Sequence, residues 1–188
     1  GGGILAAYGG VVNIIHSTVT GNTANENYLT EAWGGGGGIA IIDDGMVSIQ
    51  NSIVAGNMDW TGLVDPADFY YHPAYDDVSG AFTSLGGNLI GDGTGSTGWL
   101  EGELVGSTAE TIDPLLDSLS MDVPDYLGPY TLTYTFALLT GSPAIDAAPT
   151  CEVDVDQRGI TRPQGSACDI GAFELEQTAV DTTPPVVT

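Results

Sequence analysis

Lysine is absent from this chain of 188 residues, and Arg158 and Arg162 are its only arginines, set against 25 Asp and Glu and a formal net charge of −23. Phosphate backbones and anionic lipid headgroups are held by Lys and Arg, which neutralise them and release counterions. The missing cations therefore argue against nucleic acid and membrane surfaces as partners. A field of this sign instead draws divalent cations and keeps the chain soluble, and acidity for solubility alone stays open beside that reading. Long apolar runs are also missing, so no segment reads as a helix spanning a bilayer. Residues 1–10 lack a charged stretch followed by an apolar one, as a secretory leader would have. The chain starts inside a pattern, and the expectation is a fragment with further repeats upstream.

Cysteine is scarce. Cys151 and Cys168 belong to no Cys-x-x-Cys or histidine-associated metal pattern, so a disulfide is the natural reading, with two buried free thiols as the alternative. In an oxidising compartment, closing that loop contributes ~3 kcal/mol. What the chain has in quantity is glycine, at 28 positions, with 42% hydrophobic and only 14% charged residues. That mixture fits neither a disordered polyanion nor a helical domain, and points to strands joined by tight turns.

An internal repeat sets the architecture. Shifting the chain by 35 positions aligns Gly1–Asn22 with Gly36–Asn57 without a gap, and Gly3, Ile4, Gly10, Val12, Ile14, Ser17, Val19, Gly21 and Asn22 recur as Gly38, Ile39, Gly45, Val47, Ile49, Ser52, Val54, Gly56 and Asn57. Each unit reads as three short runs of alternating apolar and small polar residues, the mark of strands with one face inward. Glycine and Asn at the junctions supply the left-handed backbone that sharp corners need. Corners this short cannot turn a strand back on its neighbour, so the units must stack like on like. The expected fold is all-β, a parallel β-helix with a C-terminal cap. A degenerate third unit is expected at Ala81–Leu85 and Asn88–Asp92. The division is 1–112 for the coils and their projecting loops, 113–175 for a terminal coil and cap, and 176–188 for an extended linker or tail.

Between the units, Thr23–Gly35 and Met58–Asp77 carry Tyr28, Trp33, Trp60, Tyr70, Tyr71 and Tyr75. Aromatic loops on a rigid scaffold are candidate binding surfaces, for glycans among others; the same rings can instead cover the side of the stack.

The C-terminal third holds Asp113-Pro114-Leu115-Leu116, Gly141-Ser142-Pro143-Ala144-Ile145-Asp146-Ala147, Asp156-Gln157-Arg158-Gly159 and Cys168-Asp169-Ile170-Gly171-Ala172-Phe173-Glu174. This string resembles the terminal segment of right-handed β-helix repeat proteins of the choice-of-anchor Q type, in the broad pectin-lyase-like superfamily. The likeness extends to Ser52–Asn57 and Gly87–Asp92. It implies a right-handed helix in a secreted or surface-attached protein.

An open stack end exposes strand edges and core, so a cap is needed to prevent end-to-end aggregation. Both arginines fall in that segment, and Arg158 and Arg162 are expected to form guanidinium clamps with Asp146, Asp154, Asp156, Asp169 or Glu174; an arginine contacting an acidic sugar is the functional alternative. After Glu174 the paired prolines and threonines read as a linker resembling the start of bacterial Ig-like surface domains, or as a strand added to a neighbouring subunit.

Parallel β-helices also host polysaccharide lyases and hydrolases. A lyase needs a base beside the acidic proton and a cation on the uronate, yet there is no Lys and both arginines sit in the expected cap. A hydrolase needs two carboxylates on one face of a groove, whereas Asp43-Asp44 and Asp76-Asp77 are adjacent and point to opposite faces. His16 falls over Asn51 in the repeat, a corner position, and His72 is a loop residue. No nucleophile elbow, phosphate loop or zinc spacing occurs. Asp43, Asp44 and Asp92 are weak calcium candidates beside turn glycines. The functional expectation is a secreted or cell-surface structural or adhesive module, assembling with copies of itself or with further domains of its parent into extracellular fibres; the alternative is a carbohydrate-active β-helix whose groove lies partly upstream.

Overall fold

Residues 2–24, 36–59, 77–122 and 133–177 are described by the computed structural model. They are all-β, with mostly parallel strands in stacked sheets and no helix among the described residues. The first repeat forms β1 (Ile4–Ala6), β2 (Val11–Ile15), β3 (Thr18–Val19) and β4 (Thr23–Ala24), and the second forms β5 (Ile39–Ile41), β6 (Met46–Gln50), β7 (Ile53–Val54) and β8 (Met58–Asp59). Every strand of the first pairs in parallel with its counterpart in the second, Val12 directly with Val47 and Val19 with Val54.

The third unit is longer than the sequence expectation. It comprises β9 (Val78–Ala81), β10 (Thr83–Gly86) and β11 (Leu89–Ile90), which add to the same three sheets, with the register slipping between Ser84 and Gly86. A short further turn adds β12 (Ser96–Thr97) and β13 (Leu104–Val105) to two of the sheets. Only β14 (Ser120–Asp122) and β15 (Thr133–Thr135) run antiparallel among the named strands.

Alternation decides which residues meet. Ile14, Val47, Ile49, Val54, Val78 and Ile90 belong to one buried cluster, each side chain worth ~1.5–3 kcal/mol on burial. Their chain neighbours point the other way. Ile53 and Leu89 therefore face outward from the β13-β11-β7-β3 sheet, yet both are sealed at 0% exposure. What seals them is the C-terminal segment: Leu138, Ala144, Cys168, Ile170 and Phe173 share their cluster. The segment lies along the outer face of that sheet and reaches back to the first two repeats, where the Ala172 amide donates to Thr18 Oγ1 at 3.0 Å and the Gly171 amide to the Asn51 carbonyl at 2.9 Å.

Corners are tied by side chains that accept from backbone amides one repeat away. Asn57 Oδ1 takes the Asn22 amide at 3.0 Å, Ser52 Oγ takes the Ser17 amide at 3.1 Å, and Asp77 Oδ1 takes the Asn57 amide at 2.7 Å. These bonds satisfy amides that a corner would otherwise leave buried and unpaired. Left-handed backbone occurs at Gly21 and Gly56, with φ of 69° and 70°, as the corner reading requires. Gly45 serves differently: its φ is not positive, but a Cβ there would collide with the Ala6 carbonyl.

Candidate functional site

The arginines of the C-terminal segment are structural fixtures in their geometry. Arg162 is enclosed, its side chain 0% exposed, and Nη1 donates to Glu174 Oε2 at 3.0 Å and to the Asp169 carbonyl at 2.8 Å, while Nη2 donates to the Gly171 carbonyl at 2.7 Å. Burial pulls its pKa down, and Glu174, Asp156 and Asp169 oppose that by favouring the cation. Arg158 lies over the Phe173 ring at 3.5 Å and donates through Nε to Asp156 Oδ2 at 2.9 Å. Glu176 stands 3.9 Å from it on the exposed side.

Of the five acids expected around the arginines, Asp156 and Glu174 meet them through their carboxylates. Asp154 and Asp169 meet Arg162 through their backbone carbonyls. The Asp169 carboxylate accepts instead from the Asp146 and Leu175 amides, at 2.7 and 2.6 Å, and burial raises its pKa. Asp146 accepts from Gln177 Nε2 and the Ala167 amide, and the first of these lowers its pKa most. Cys151 and Cys168 are joined in a disulfide.

Beside that disulfide stands a group which spacing did not reveal. Glu152, next to Cys151, is held over the corner formed by His16 and Asn51. Asn51 Nδ2 lies 3.2 Å from His16 Nε2 and donates to the Thr150 carbonyl at 2.8 Å and to Glu152 Oε2 at 2.5 Å; His16 Nε2 lies 3.3 Å from the same carboxylate oxygen. Gln50 Nε2 and Thr150 Oγ1 donate to Glu152 Oε1. Burial lowers the His16 pKa, the Arg162 cation adds to this, and Glu152 opposes it. Burial pushes the Glu152 carboxyl up, but the hydrogen bonds from Thr150 and Asn51 and the imidazole outweigh it and leave the pKa lowered.

A cavity of about 420 Å³ lies beside this corner, lined by His16, Thr18, Val155, Asp156, Gln157 and Arg162 among others. An imidazole against a carboxylate is a proton-transfer pair by chemistry. Here the His16 side chain is 2% exposed and that of Glu152 26%, so the imidazole is closed to a polysaccharide in this arrangement while the carboxylate is not. The contacts span about a hundred residues of sequence, which is why no local motif betrays them.

The calcium candidates are not brought together. Asp43 and Asp44 sit exposed on the turn after β5, whereas Asp92, after β11, is 1% exposed, with Oδ1 accepting from the Thr94 amide at 2.9 Å and Oδ2 unpartnered. Among the described residues no group of three or more His, Cys, Asp or Glu is placed to hold a metal ion. Asp77, near Asp92, lines a second cleft of about 620 Å³ together with Asp113. Its carboxylate accepts from the Asn57 and Asp92 amides, and burial raises its pKa. The aromatic residues Tyr28, Trp33, Trp60, Tyr70, Tyr71 and Tyr75, with His72, lie outside the described residues. No family model, no curated protein and no solved structure matches the chain.

Proposed function

We propose that the chain is a structural or adhesive module of an extracellular or cell-surface protein, built as a right-handed parallel β-helix, and that it belongs with the choice-of-anchor Q type of β-helix protein. The observation that carries this reading is the stacking of equivalent residues, Val12 on Val47 and Ile39 beside Val78, in three parallel sheets. Parallel strands joined by short corners in three directions close most simply as a helix of strands, and parallel crossover connections are right-handed in nearly all known cases. Such a stack resists bending and lengthens by repetition, which suits reach and load.

The fate of the reactive groups supports a noncatalytic role. Arg158, Arg162, Asp156, Glu174 and Asp169 hydrogen-bond to one another and to backbone, with the buried Arg162 Nε left without a partner. The disulfide favours an oxidising compartment, and the scarcity of Lys and Arg favours partners other than polyanions. Further copies of the chain, further domains of its parent and glycans are the partners this reading implies.

Among the described residues, the cleft shared by Asp77 and Asp113 favours the carbohydrate-active alternative. Labelling intact cells that make the protein with an antibody against this chain tests the location: surface signal is expected, and signal only after permeabilisation contradicts it. Assay of a panel of acidic and neutral polysaccharides for reducing ends and unsaturated products tests the chemistry. No turnover is expected, and turnover abolished by Asp77→Asn would install the alternative.

A further inference from the structure

Ile4, Val12 and Val19 pair with residues of the same kind, yet their surroundings differ. Ile39, Val47 and Val54 are 0%, 2% and 0% exposed, whereas Ile4, Val12 and Val19 are only half-buried. The difference lies in their neighbours. Among the described residues, β5, β6 and β7 each have strands on both sides, while β1, β2, β3 and β4 are the last strands of their sheets at the same end of the stack. An edge of this kind presents backbone N–H and C=O groups without partners, and proteins that leave such an edge in water blunt it with charge or proline.

Neither device is present: Gly1–Ala24 contains no Asp, Glu, Lys, Arg or Pro, in a chain with 25 acids and 10 prolines. The other end is treated differently, since Trp99 stacks on Phe82 at 4.9 Å where the inner cluster finishes.

We infer that the β1–β4 edge is a pairing surface, and that its occupant is one more strand layer of the same 35-residue kind, uncharged, glycine-rich and in parallel register. The inference rests on the β-helix reading. The chemistry of the occupant follows from the repeat. The first repeat sits on β5–β8, whose sequence matches that of β1–β4 at Ile4/Ile39, Val12/Val47, Ile14/Ile49 and Val19/Val54. A surface so alike accepts a layer like the one its twin already accepts. Ser17 and Asn22 stand ready at the corners to receive the amides of that layer, as Ser52 and Asn57 receive theirs. Docking a second whole copy by this edge would bring two bodies of charge −23 together, which repulsion opposes.

The test is a variant of the full chain with a second copy of residues 1–35 inserted ahead of Gly1. Its melting temperature and the amide exchange of β1–β4 are compared with those of the unmodified chain and of a control carrying Val12→Asp and Ile14→Asp in the inserted copy only. The occupied edge is expected to raise the melting temperature by about 4 °C or more and to slow exchange in β1–β4, with neither effect in the control. Unchanged melting and exchange overturn the inference. So does an unmodified chain that is already a dimer with β1–β4 amides protected, because the occupant is then a second copy. If strand pairing by cross-linking, described below, holds while the inserted repeat stays unordered, the docking inference alone fails; if the cross-links fail, the β-helix reading itself falls.

Discussion

Arg162 and Glu174 meet at 3.0 Å inside the C-terminal segment, with side chains 0% and 1% exposed. Neither charge has water to fall back on, so removing one strands the other in a low dielectric. Arg162→Ala is expected to cost ~3–5 kcal/mol in denaturant unfolding. Arg158→Ala loses a ring contact and the Asp156 bonds at a rim that is 12% exposed, and the expected cost is smaller, ~1–2 kcal/mol. Glu176→Gln, on the exposed side, should change stability by less than ~0.5 kcal/mol. An Arg162 variant as stable as the parent would contradict the clamp.

His16 gives the fold a pH dependence of definite sign. Its folded pKa is lowered, by burial first and then by the Arg162 cation, with Glu152 opposing and Asp156 lining the adjacent cavity. The unfolded chain therefore takes up the proton first, at the ordinary value of 6.5. The contribution of neutral His16 is whole above pH 6.5 and is lost as pH falls through the interval between 6.5 and the folded value. Glu152, also lowered, adds its own loss only below its ordinary 4.5. Melting curves taken downward from pH 7 should show the decline, and His16→Asn, which installs the residue found at Asn51, should flatten its upper part. An unaltered decline in that variant would assign it elsewhere.

Cys151 is exposed and Cys168 buried, so the disulfide is best opened from the exposed partner. Cys151→Ser is expected to cost ~2–4 kcal/mol. It should also free Glu152 from Asn51, so the same variant should shift the His16 titration followed by NMR. A lowered melting temperature with an unmoved titration would show that the disulfide does not position Glu152.

The stacked sheets were legible because the repeat is strict where the core is: Val12/Val47 and Ile14/Ile49 keep one spacing, and the structure pairs them. Legibility faded in the third unit, where Ile39 pairs with Val78 but Ile53 with Leu89, because inserted residues change the spacing without changing the sheet. The His16–Asn51 contact followed from the same register. Glu152 did not, nor did the lateral position of the C-terminal segment, since bonds such as Asn51 to Thr150 and Ala172 to Thr18 have no period to announce them. Charge alone could not tell Asp156 and Glu174, which take the guanidiniums, from Asp146 and Asp169, which take backbone amides.

Parallel stacking in register is the claim on which the fold, the surface role and the docking edge all depend, and cross-linking of outward-facing positions on β2 and β6 tests it most directly. Cysteine pairs are introduced as Val11→Cys with Met46→Cys, Ile15→Cys with Gln50→Cys, and Val11→Cys with Gln50→Cys, in a chain that has no other free thiol. Parallel pairing sets Val11 opposite Met46 and Ile15 opposite Gln50, so the first two pairs should join rapidly on mild oxidation and the third should not. Strands running antiparallel about Asn13 and Ser48 would instead join Val11 to Gln50, and that result would contradict the account.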